Sequence, residues 1–186
     1  LIIDYSSFSI AANEIVQFIQ PNTTSAALNR VVGQDISNIL GTLNANGIIY
    51  LINPNGINIG PTANINAASF IASTLNISNA DFLSGKNNFF KSGESAFIIN
   101  RGNISIRNGG YLFLLSQAVE NYGNISVEAS LGTIVLASGE KMTLALDDAA
   151  DISVVIDEAV KDIVLGPDGQ KIDSAIKNSG TITANG

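Results

Sequence analysis

The sequence contains no cysteine, no histidine and no tryptophan, and only 13% of its 186 residues are charged. The absence of cysteine excludes disulfides, thiolate metal sites and thiol nucleophiles. The absence of histidine removes the commonest general base and the commonest metal ligand, which excludes a nucleophilic triad of the usual kind. The composition therefore predicts neither catalysis nor a cofactor or metal centre.

Basic residues are also scarce: nine of them stand against sixteen acidic ones, which gives a net charge of −7. This balance argues against binding to nucleic acid or to an anionic membrane. No apolar run approaches the ~18 residues of a membrane span, so we expect no membrane insertion. The length suits one domain, and the many Asn, Ser, Thr and Gly residues suit stacked strands with frequent turns.

Internal repetition is strong. Residues 100–106, 121–127 and 178–184 share the pattern Asn-x-Gly-x-Ile-x-apolar, and the first two of these segments lie 21 residues apart. A second phase begins at Gly47, Gly110 and Gly132; the first interval is 63 residues, or three times 21, and the second is 22. A period near 21 is typical of a parallel β-helix coil or a leucine-rich repeat, and the leucine pattern of the latter is absent.

Apolar and small polar residues alternate within each repeat, as in Ile104 and Ile106 against Ser105. This period of two predicts strands, and stacked coils would place like positions about 4.8 Å apart. Asn100, Asn121 and Asn178 would then form an amide ladder at a corner. Parallel crossovers are right-handed in nearly all cases. The sequence therefore predicts an all-β fold, a single-stranded, right-handed parallel β-helix.

Two regions interrupt the pattern. Residues 83–95 have little alternation and read as an irregular corner or excursion. Residues 146–173 hold eight of the sixteen acids and read as a β-rich insertion, at 147–173, that projects from the coils, with strands at 152–156 and 163–165 and a turn at 166–169. Helix is expected only at 157–162. The acids could hold calcium, but they lack EF-hand spacing, so a solvated acidic face is favoured.

The segment NANGIIYLINPNGINIG, residues 44–60, is the most informative part of the chain. Pro54 presets the backbone angle of a tight turn, Asn55 and Gly56 suit the following positions, and the Asn53 side chain can bond the turn backbone. Taken alone, these residues predict a strand, a turn and a second strand that begins near Ile57.

The sequence of this segment resembles the NPNG motif of the haemagglutination-activity, or two-partner secretion, domain of exported adhesins. The order of further segments is similar to that family, and most of all to its high-molecular-weight adhesin branch. Those segments are residues 3–10, 17–18, 27–31, 33, 37, 39, 41–43, 45–47, 51–57, 60 and 72–74. One departure is that the motif NPNL of some members is absent, the nearest text being QPNT at residues 20–23.

The resemblance implies that residues 1–186 are a secretion domain, which we expect to be a monomer and a fragment at both ends, because residues 181–186 stop inside a repeat. Such domains direct a large adhesin, haemolysin or toxin out of a Gram-negative cell. Their partner is a cognate outer-membrane β-barrel transporter with periplasmic polypeptide-transport domains. The residues predicted for recognition are Asn53, Pro54, Asn55, Gly56, Ile57, Asn29 and Arg30. A purely structural turn, and a surface arginine that bonds loop carbonyls, are the alternatives.

Two other functions are open at this stage. The β-helix could be an adhesive module that binds host glycan or protein, although its few aromatic residues are scattered. A carbohydrate-active enzyme would need a cleft with facing carboxylates, and the sequence shows no convincing set. Four N-x-S/T sequons could also be modified, at Asn22, Asn76, Asn103 and Asn124.

Overall fold

The computed structural model describes residues 1–128, 132–146 and 152–184. Almost every element is a strand. In chain order the elements are β1 (Ile2–Tyr5), β2 (Ile15–Phe18), β3 (Ala26–Val31), β4 (Ser37–Ile39), β5 (Thr42–Ala45), β6 (Ile48–Ile52), β7 (Ile57–Ile59), β8 (Asn64–Ala67), β9 (Ser69–Ser73), β10 (Asn76–Ile77), α1 (Asn79–Leu83), β11 (Asn87–Phe90), β12 (Phe97–Asn100), β13 (Asn103–Ile106), β14 (Tyr111–Ser116), β15 (Ala118–Asn121), β16 (Asn124–Val127), β17 (Thr133–Ser138), β18 (Lys141–Leu146), β19 (Ile152–Glu158), β20 (Ile176–Asn178) and β21 (Thr181–Ala184).

Three sheets of parallel strands form the body of the molecule. Sheet A has the order β1-β3-β6-β9-β14-β17, sheet B has β4-β7-β12-β15-β20, and sheet C has β2-β5-β8-β13-β16-β21. The chain visits A, B and C in turn and then starts the next coil one step along the axis. The predicted parallel β-helix is therefore confirmed.

The coils do not all have the predicted length. Ile48 pairs with Ser69, an offset of 21 residues, but Phe70 pairs with Leu112, an offset of 42. Gly47 and Gly110 thus lie two coils apart rather than three, because an excursion lengthens the coil that begins with β9. The sequence periodicity does not distinguish that excursion from another coil, so the prediction of three coils between Gly47 and Gly110 is wrong.

Glycine occupies the corner between sheets B and C because the backbones of neighbouring coils approach closely there. A methyl group on Gly123 would lie 2.1 Å from the carbonyl oxygen of Gly102, and one on Gly180 would lie 2.1 Å from that of Gly123. Beside these glycines runs the predicted amide ladder. Asn100 Nδ2 donates to Asn121 Oδ1 (2.8 Å), and Asn121 Nδ2 donates to Asn178 Oδ1 (2.7 Å). The Asn-x-Gly repeat is thus a corner that sets the register of successive coils.

Two excursions leave the coils: the first is residues 74–96, between β9 and β12, and the second is residues 139–175, between β17 and β20. Together they form a fourth sheet, which is antiparallel and has the order β10-β11-β18-β19. It packs on the outer face of sheet A, so both faces of sheet A are buried. Phe89, Met142 and Leu144 contact the cluster that includes Tyr50 and Phe113. The extra-helical β-rich insertion expected from the sequence is present, since β19 lies in this antiparallel sheet. It lies against sheet A instead of projecting from the coils, because the apolar outer face of sheet A requires a cover.

Further differences concern local elements of the two excursions. The irregular corner predicted at 83–95 contains β11, and the described helix is α1, not residues 157–162, of which the first two end β19. Ser78 begins α1 by accepting a hydrogen bond from the Asp81 N–H. The strand predicted at 163–165 is reduced to a single bridge from Leu165 to Lys171, while the turn at 166–169 is confirmed by the bond from Gly169 N to Gly166 O. Residues 147–151 of the predicted insertion lie outside the described residues.

An ion-pair cluster joins the two excursions. Lys91 Nζ lies 3.1 Å from Glu140 Oε1 and 2.8 Å from Asp162 Oδ2, and Lys161 Nζ lies 3.9 Å from Glu140 Oε2. Burial tends to raise the pKa of Glu140, but its bonds and charge interactions with Lys91 and Lys161 outweigh burial and leave that pKa below its ordinary value. The hydrogen bond from Lys91 likewise lowers the pKa of Asp162.

The ladder at Asn100 and Asn121, which are both buried, should contribute more to stability than a ladder on the surface. Asn121→Ala would remove its bonds to Asn100 and Asn178 and leave the buried Asn100 amide with only its 3.4 Å bond to the Gly102 carbonyl, so we expect a loss of about 2–3 kcal/mol in the free energy of unfolding. Asn124→Ala, which breaks an exposed bond to Asn103, is the matched control and should cost less than about 1 kcal/mol. Urea unfolding followed by circular dichroism measures both, and equal losses would contradict the ladder's role.

The ion-pair cluster predicts a defined pH dependence. Because the pKa of Glu140 is lowered by folding, its stabilisation is complete above the ordinary value of 4.5 and is lost as the pH falls through the lower folded value. Lys91→Gln should therefore lower the free energy of unfolding, measured by urea unfolding at each pH, more at neutral pH than in acid. The exposed Lys86→Gln is the control and should show a small, pH-independent effect; the same pH profile for both variants would be evidence against the cluster.

Candidate functional site

The five-residue motif predicted from the sequence lies at the corner between sheets A and B. Asn53 follows β6, Ile57 begins β7, and the predicted turn is confirmed by a hydrogen bond from the Gly56 N–H to the Asn53 carbonyl (3.2 Å). Both excursions, after β9 and after β17, leave the coils at this same corner. In the coil of β14 and β15 the corner shrinks to Gln117 alone.

Asn53 is fully buried and all of its side-chain groups are bonded. Its Nδ2 donates to the Asp35 carbonyl (3.0 Å) and to Ser37 Oγ (2.9 Å), both in the preceding coil. Its Oδ1 accepts from the Asn55 N–H (3.0 Å) and from Asn55 Nδ2 (2.9 Å). Its own N–H donates to the Ser73 carbonyl of the following coil (2.9 Å). One residue thus bonds three consecutive coils at their shared corner.

Asn55 and Gly56 complete the turn. Asn55 Nδ2 also donates to the Gly33 carbonyl (2.9 Å), which binds the turn to the coil below it. Gly56 has a φ of 129°, and a Cβ there would lie 3.2 Å from the Phe97 ring. A side chain at Gly56 is therefore opposed both by backbone strain and by space.

Little of this motif reaches solvent. Asn53, Gly56 and Ile57 are buried, whereas Pro54 and Asn55 are half-buried. Direct contact with a partner could therefore involve only Pro54 and Asn55, and the other three residues act through the shape of the corner.

Arg30 and Asn29 lie on β3 in sheet A, and both are buried. Arg30 is 9% exposed, and its guanidinium donates to Asn76 Oδ1 (3.0 Å), the Ile77 carbonyl (2.7 Å), Asn79 Oδ1 (2.9 Å) and Asp4 Oδ1 (3.1 Å). The expected surface position of Arg30 is therefore wrong, because this side chain ties the first excursion to sheet A. The predicted hydrogen bond from Arg30 to a loop carbonyl is present, and its acceptor is the Ile77 carbonyl.

Asn29 points into the coil, on the face that carries Ala27 and Val31. Its Nδ2 donates to the Tyr50 carbonyl (3.2 Å), and its Oδ1 accepts from the Tyr5 hydroxyl (3.2 Å). The structure therefore places Asn29 and Arg30 on opposite faces of sheet A and not in one cluster with the corner motif. A role for either in partner recognition stays a prediction.

Some residues essential to the corner were not singled out from the sequence. The Asp35 and Gly33 carbonyls and the Ser37 hydroxyl receive the motif's bonds, and Asn76 and Asn79 receive those of Arg30. Any residue type can supply a backbone carbonyl, so the sequence does not reveal such acceptors. Asn76 and Asn79 lie near the start of the first excursion, and this position is the only signal that could have indicated these two asparagines.

Two of the four sequons occupy neighbouring coils on the outer face of sheet C, where Asn103 and Asn124 are exposed. Asn76, in contrast, is engaged with Arg30, and Asn22 bonds its own loop. Modification of these sites stays a prediction.

Known proteins resemble this chain in sequence and in fold. A family model described as the TPS secretion domain matches residues 1–186. The crystal structure of the HMW1 secretion domain from Haemophilus influenzae is similar, with a TM-score of 0.82 and 38% identity over 98% of this chain and 46% of that one. A heme/hemopexin-binding protein of Haemophilus influenzae strain Rd is 34% identical over 168 residues, or 87% of this chain. A second protein of that name from the same species is 47% identical over 75 residues, which is 40% of this chain and 8% of that protein.

The chain therefore belongs to the TPS, or two-partner secretion, family of secretion domains, which is a family of export domains and not of enzymes. Proteins with such domains are exported by Gram-negative bacteria. This chain spans only 18% of the length of the first heme/hemopexin-binding relative. Among the described residues, the one helix has five residues, so no helix there is long enough to cross a membrane.

The corner geometry predicts that Asn53 is needed for folding. Asn53→Ala would remove the links to Asp35 and Ser37 and leave buried groups unpaired, so we expect a loss of about 2–3 kcal/mol in the free energy of unfolding. Asn58→Ala, which loses a half-exposed bond to Asn38, should cost less than about 1 kcal/mol. Urea unfolding of the two variants decides the point, and an undisturbed Asn53→Ala protein would refute the role in folding.

Arg30 should stabilise the fold more through the hydrogen bonds of its planar guanidinium group than through its charge. Three of its acceptors are neutral, and Asp4 has a side chain that is 50% exposed, so the ion pair itself contributes little. We expect Arg30→Lys to cost about 2–3 kcal/mol, because an ammonium cannot span the four acceptors, and Asp4→Asn less than about 1 kcal/mol. The loss in Arg30→Lys should persist in 1 M salt, where the ~3 Å Debye length screens exposed pairs; a loss that salt abolishes would favour charge instead.

Proposed function

We propose that this chain directs the export of a longer protein through a cognate outer-membrane β-barrel transporter and is recognised by the transporter's periplasmic polypeptide-transport domains. The observation that supports this most is the family match over the full 186 residues, together with the shared β-helix. The exported protein would be released or held at the surface of a Gram-negative cell. In this proposal the domain has no catalytic role.

The fold suggests how export and folding are linked. Every strand of sheets A, B and C pairs with strands of other coils, so the stabilising contacts are distant in sequence. Folds dominated by such contacts form slowly, which leaves time for an extended chain to be threaded through a pore. Once outside, each coil that forms offers an edge for the next.

The last coil is suited to act as that template. In the described part of the chain, β17, β20 and β21 each end the order of their sheet and pair on one side. A following coil of a longer passenger would add strands there without a new nucleus. Folding on this template would draw the passenger outward without ATP.

The corner motif serves recognition indirectly in this proposal. Because Asn53, Gly56 and Ile57 are buried, their substitution would change secretion by disturbing the corner. Pro54 and Asn55 are the two residues of the motif that a transporter could touch. The structural role of the corner and its role as a binding surface are then separable by experiment.

A secretion assay separates the two. The chain, preceded by a signal sequence, is co-expressed with its transporter, and its amount in the medium is measured for wild type, Asn53→Ala, Pro54→Ala and Asn58→Ala. Pro54→Ala should leave the folded corner largely intact, since the lost ring rigidity costs about 0.4–1 kcal/mol. We expect Asn53→Ala, with its predicted folding loss of about 2–3 kcal/mol, to reduce the secreted amount several-fold, and Asn58→Ala to be secreted normally.

Binding of the purified chain to the periplasmic portion of the transporter completes the test. A Pro54→Ala protein that folds normally but binds and secretes poorly would assign direct contact to the turn. Normal secretion of Pro54→Ala would indicate that the motif affects secretion through the shape of the folded corner. Undiminished secretion of wild type in cells without the transporter would overturn the proposed function.

A further inference from the structure

Asparagine is followed directly by glycine at residues 46–47, 55–56, 108–109 and 185–186, and the last of these pairs lies outside the described residues. Such a pair is chemically labile, because glycine has no side chain to shield its backbone nitrogen from the side-chain carbonyl carbon of the preceding asparagine. The two groups can react only when they are free to approach each other. The fold therefore decides which pairs are stable.

The pair at residues 46–47 is held at both reacting groups. Asn46 Oδ1 accepts a hydrogen bond from the Gln20 N–H (2.6 Å), and Asn46 Nδ2 donates to the Gln20 carbonyl (2.7 Å). The Gly47 N–H, which would have to attack, donates to Gln20 Oε1 (3.0 Å). Reaction at this pair requires that several hydrogen bonds break first.

The pair at residues 55–56 is held in the same way by the corner motif. Asn55 Nδ2 donates to the Gly33 carbonyl (2.9 Å) and to Asn53 Oδ1 (2.9 Å). The Gly56 N–H donates to the Asn53 carbonyl (3.2 Å). Both the side chain and the attacking nitrogen are thus occupied in the folded protein.

The pair at residues 108–109 forms an exposed turn at the corner between sheets C and A. The turn is closed by the Gly110 N–H, which donates to the Arg107 carbonyl (2.9 Å) and engages neither reacting group. Within the part of the chain that the structure describes, neither the Asn108 side chain nor the Gly109 N–H has a hydrogen-bond partner. Gly109 has a φ of 74°, and a Cβ there would meet no heavy atom within 4 Å beyond its chain neighbours. Water therefore has open access to this turn.

We infer that Asn108 deamidates spontaneously in the folded protein. The Gly109 nitrogen loses its proton to water and forms a bond to Asn108 Cγ, which closes a succinimide ring. The bond from Cγ to Nδ2 breaks, and the side-chain nitrogen leaves as ammonia with a proton taken from water. A water molecule then opens the ring at one of its two carbonyls, which gives aspartate or isoaspartate. The net reaction consumes water and releases ammonia, with no oxidation or reduction.

The product changes the charge of the corner and, in the isoaspartate form, the path of its backbone. The new carboxylate lies next to Arg107 in the chain, in a cleft that Glu128 also lines. Isoaspartate carries the main chain through the side-chain carbon and so lengthens the turn by a methylene group. The flanking strands β13 and β14 are each paired on both sides, so we expect their register to persist.

The reaction needs no partner, so the purified chain tests the inference independently of secretion. The folded protein is incubated at mildly alkaline pH, and mass spectrometry of proteolytic peptides measures the conversion of amide to acid at each asparagine over time. Cleavage after glutamate releases residues 95–120, in which fragment ions locate the change. We expect Asn108 to react at least about tenfold faster than Asn46 or Asn55, because those two must first break two or more hydrogen bonds.

Unfolded protein supplies the control for the role of the fold. In guanidinium chloride the hydrogen bonds of Asn46 and Asn55 are absent, so the three rates should converge. Asn108→Gln is the matched variant: it retains an amide at an exposed position but requires a larger ring, so conversion at residue 108 should fall at least about tenfold. Thermal unfolding shows that this variant folds as wild type does.

Three outcomes would overturn the inference. The first is equal rates at the three asparagines in the folded protein. The second is an Asn108 that stays intact in the folded protein over a period in which it converts in the unfolded one. The third is conversion at residue 108 in Asn108→Gln that is as fast as in wild type.

Discussion

The register between successive coils is the constraint on which the rest of this structure depends. A strand in sheets A, B or C obtains its backbone partners from the coils above and below it. A coil is therefore not stable alone, and a shift of one residue would turn its interior side chains outward. The corners prevent that shift: glycine permits the backbones to touch, and stacked asparagines bond one coil to the next.

The two excursions show what happens when a coil is lengthened at a corner that tolerates it. Both leave between sheets A and B, and both return to register, so the coils beyond them are unaffected. Their strands combine to cover sheet A, and the Lys91–Glu140–Asp162 cluster fastens one excursion to the other. The cover thus joins segments from coils that are two steps apart.

The sequence predicted the features that repeat and missed those that occur once. Alternation and the Asn-x-Gly pattern indicated strands, corners and the parallel β-helix, because each coil restates the same geometry. The excursions have no repeat to reveal them, so the 63-residue interval was read as three coils and β11 as irregular. The turn of Asn53 to Gly56 was predictable from residue types. The burial of Arg30 was not, since three of its four acceptors come from a segment more than 45 residues away along the chain.

The corner motif carries the residues by which this chain most resembles its family, and Asn53, Gly56 and Ile57 of that motif are buried. Substitution of Asn53 or Gly56 is opposed because every side-chain polar group of Asn53 is bonded and Gly56 has a φ of 129° with the Phe97 ring 3.2 Å from the position of a Cβ. That requirement exists whether or not a transporter is present. Pro54 and Asn55 are half-buried, and the Asn55 side chain is itself bonded to Asn53 and to the Gly33 carbonyl. The corner residues therefore hold this fold through their own contacts, and a role in partner recognition for any of them stays a prediction.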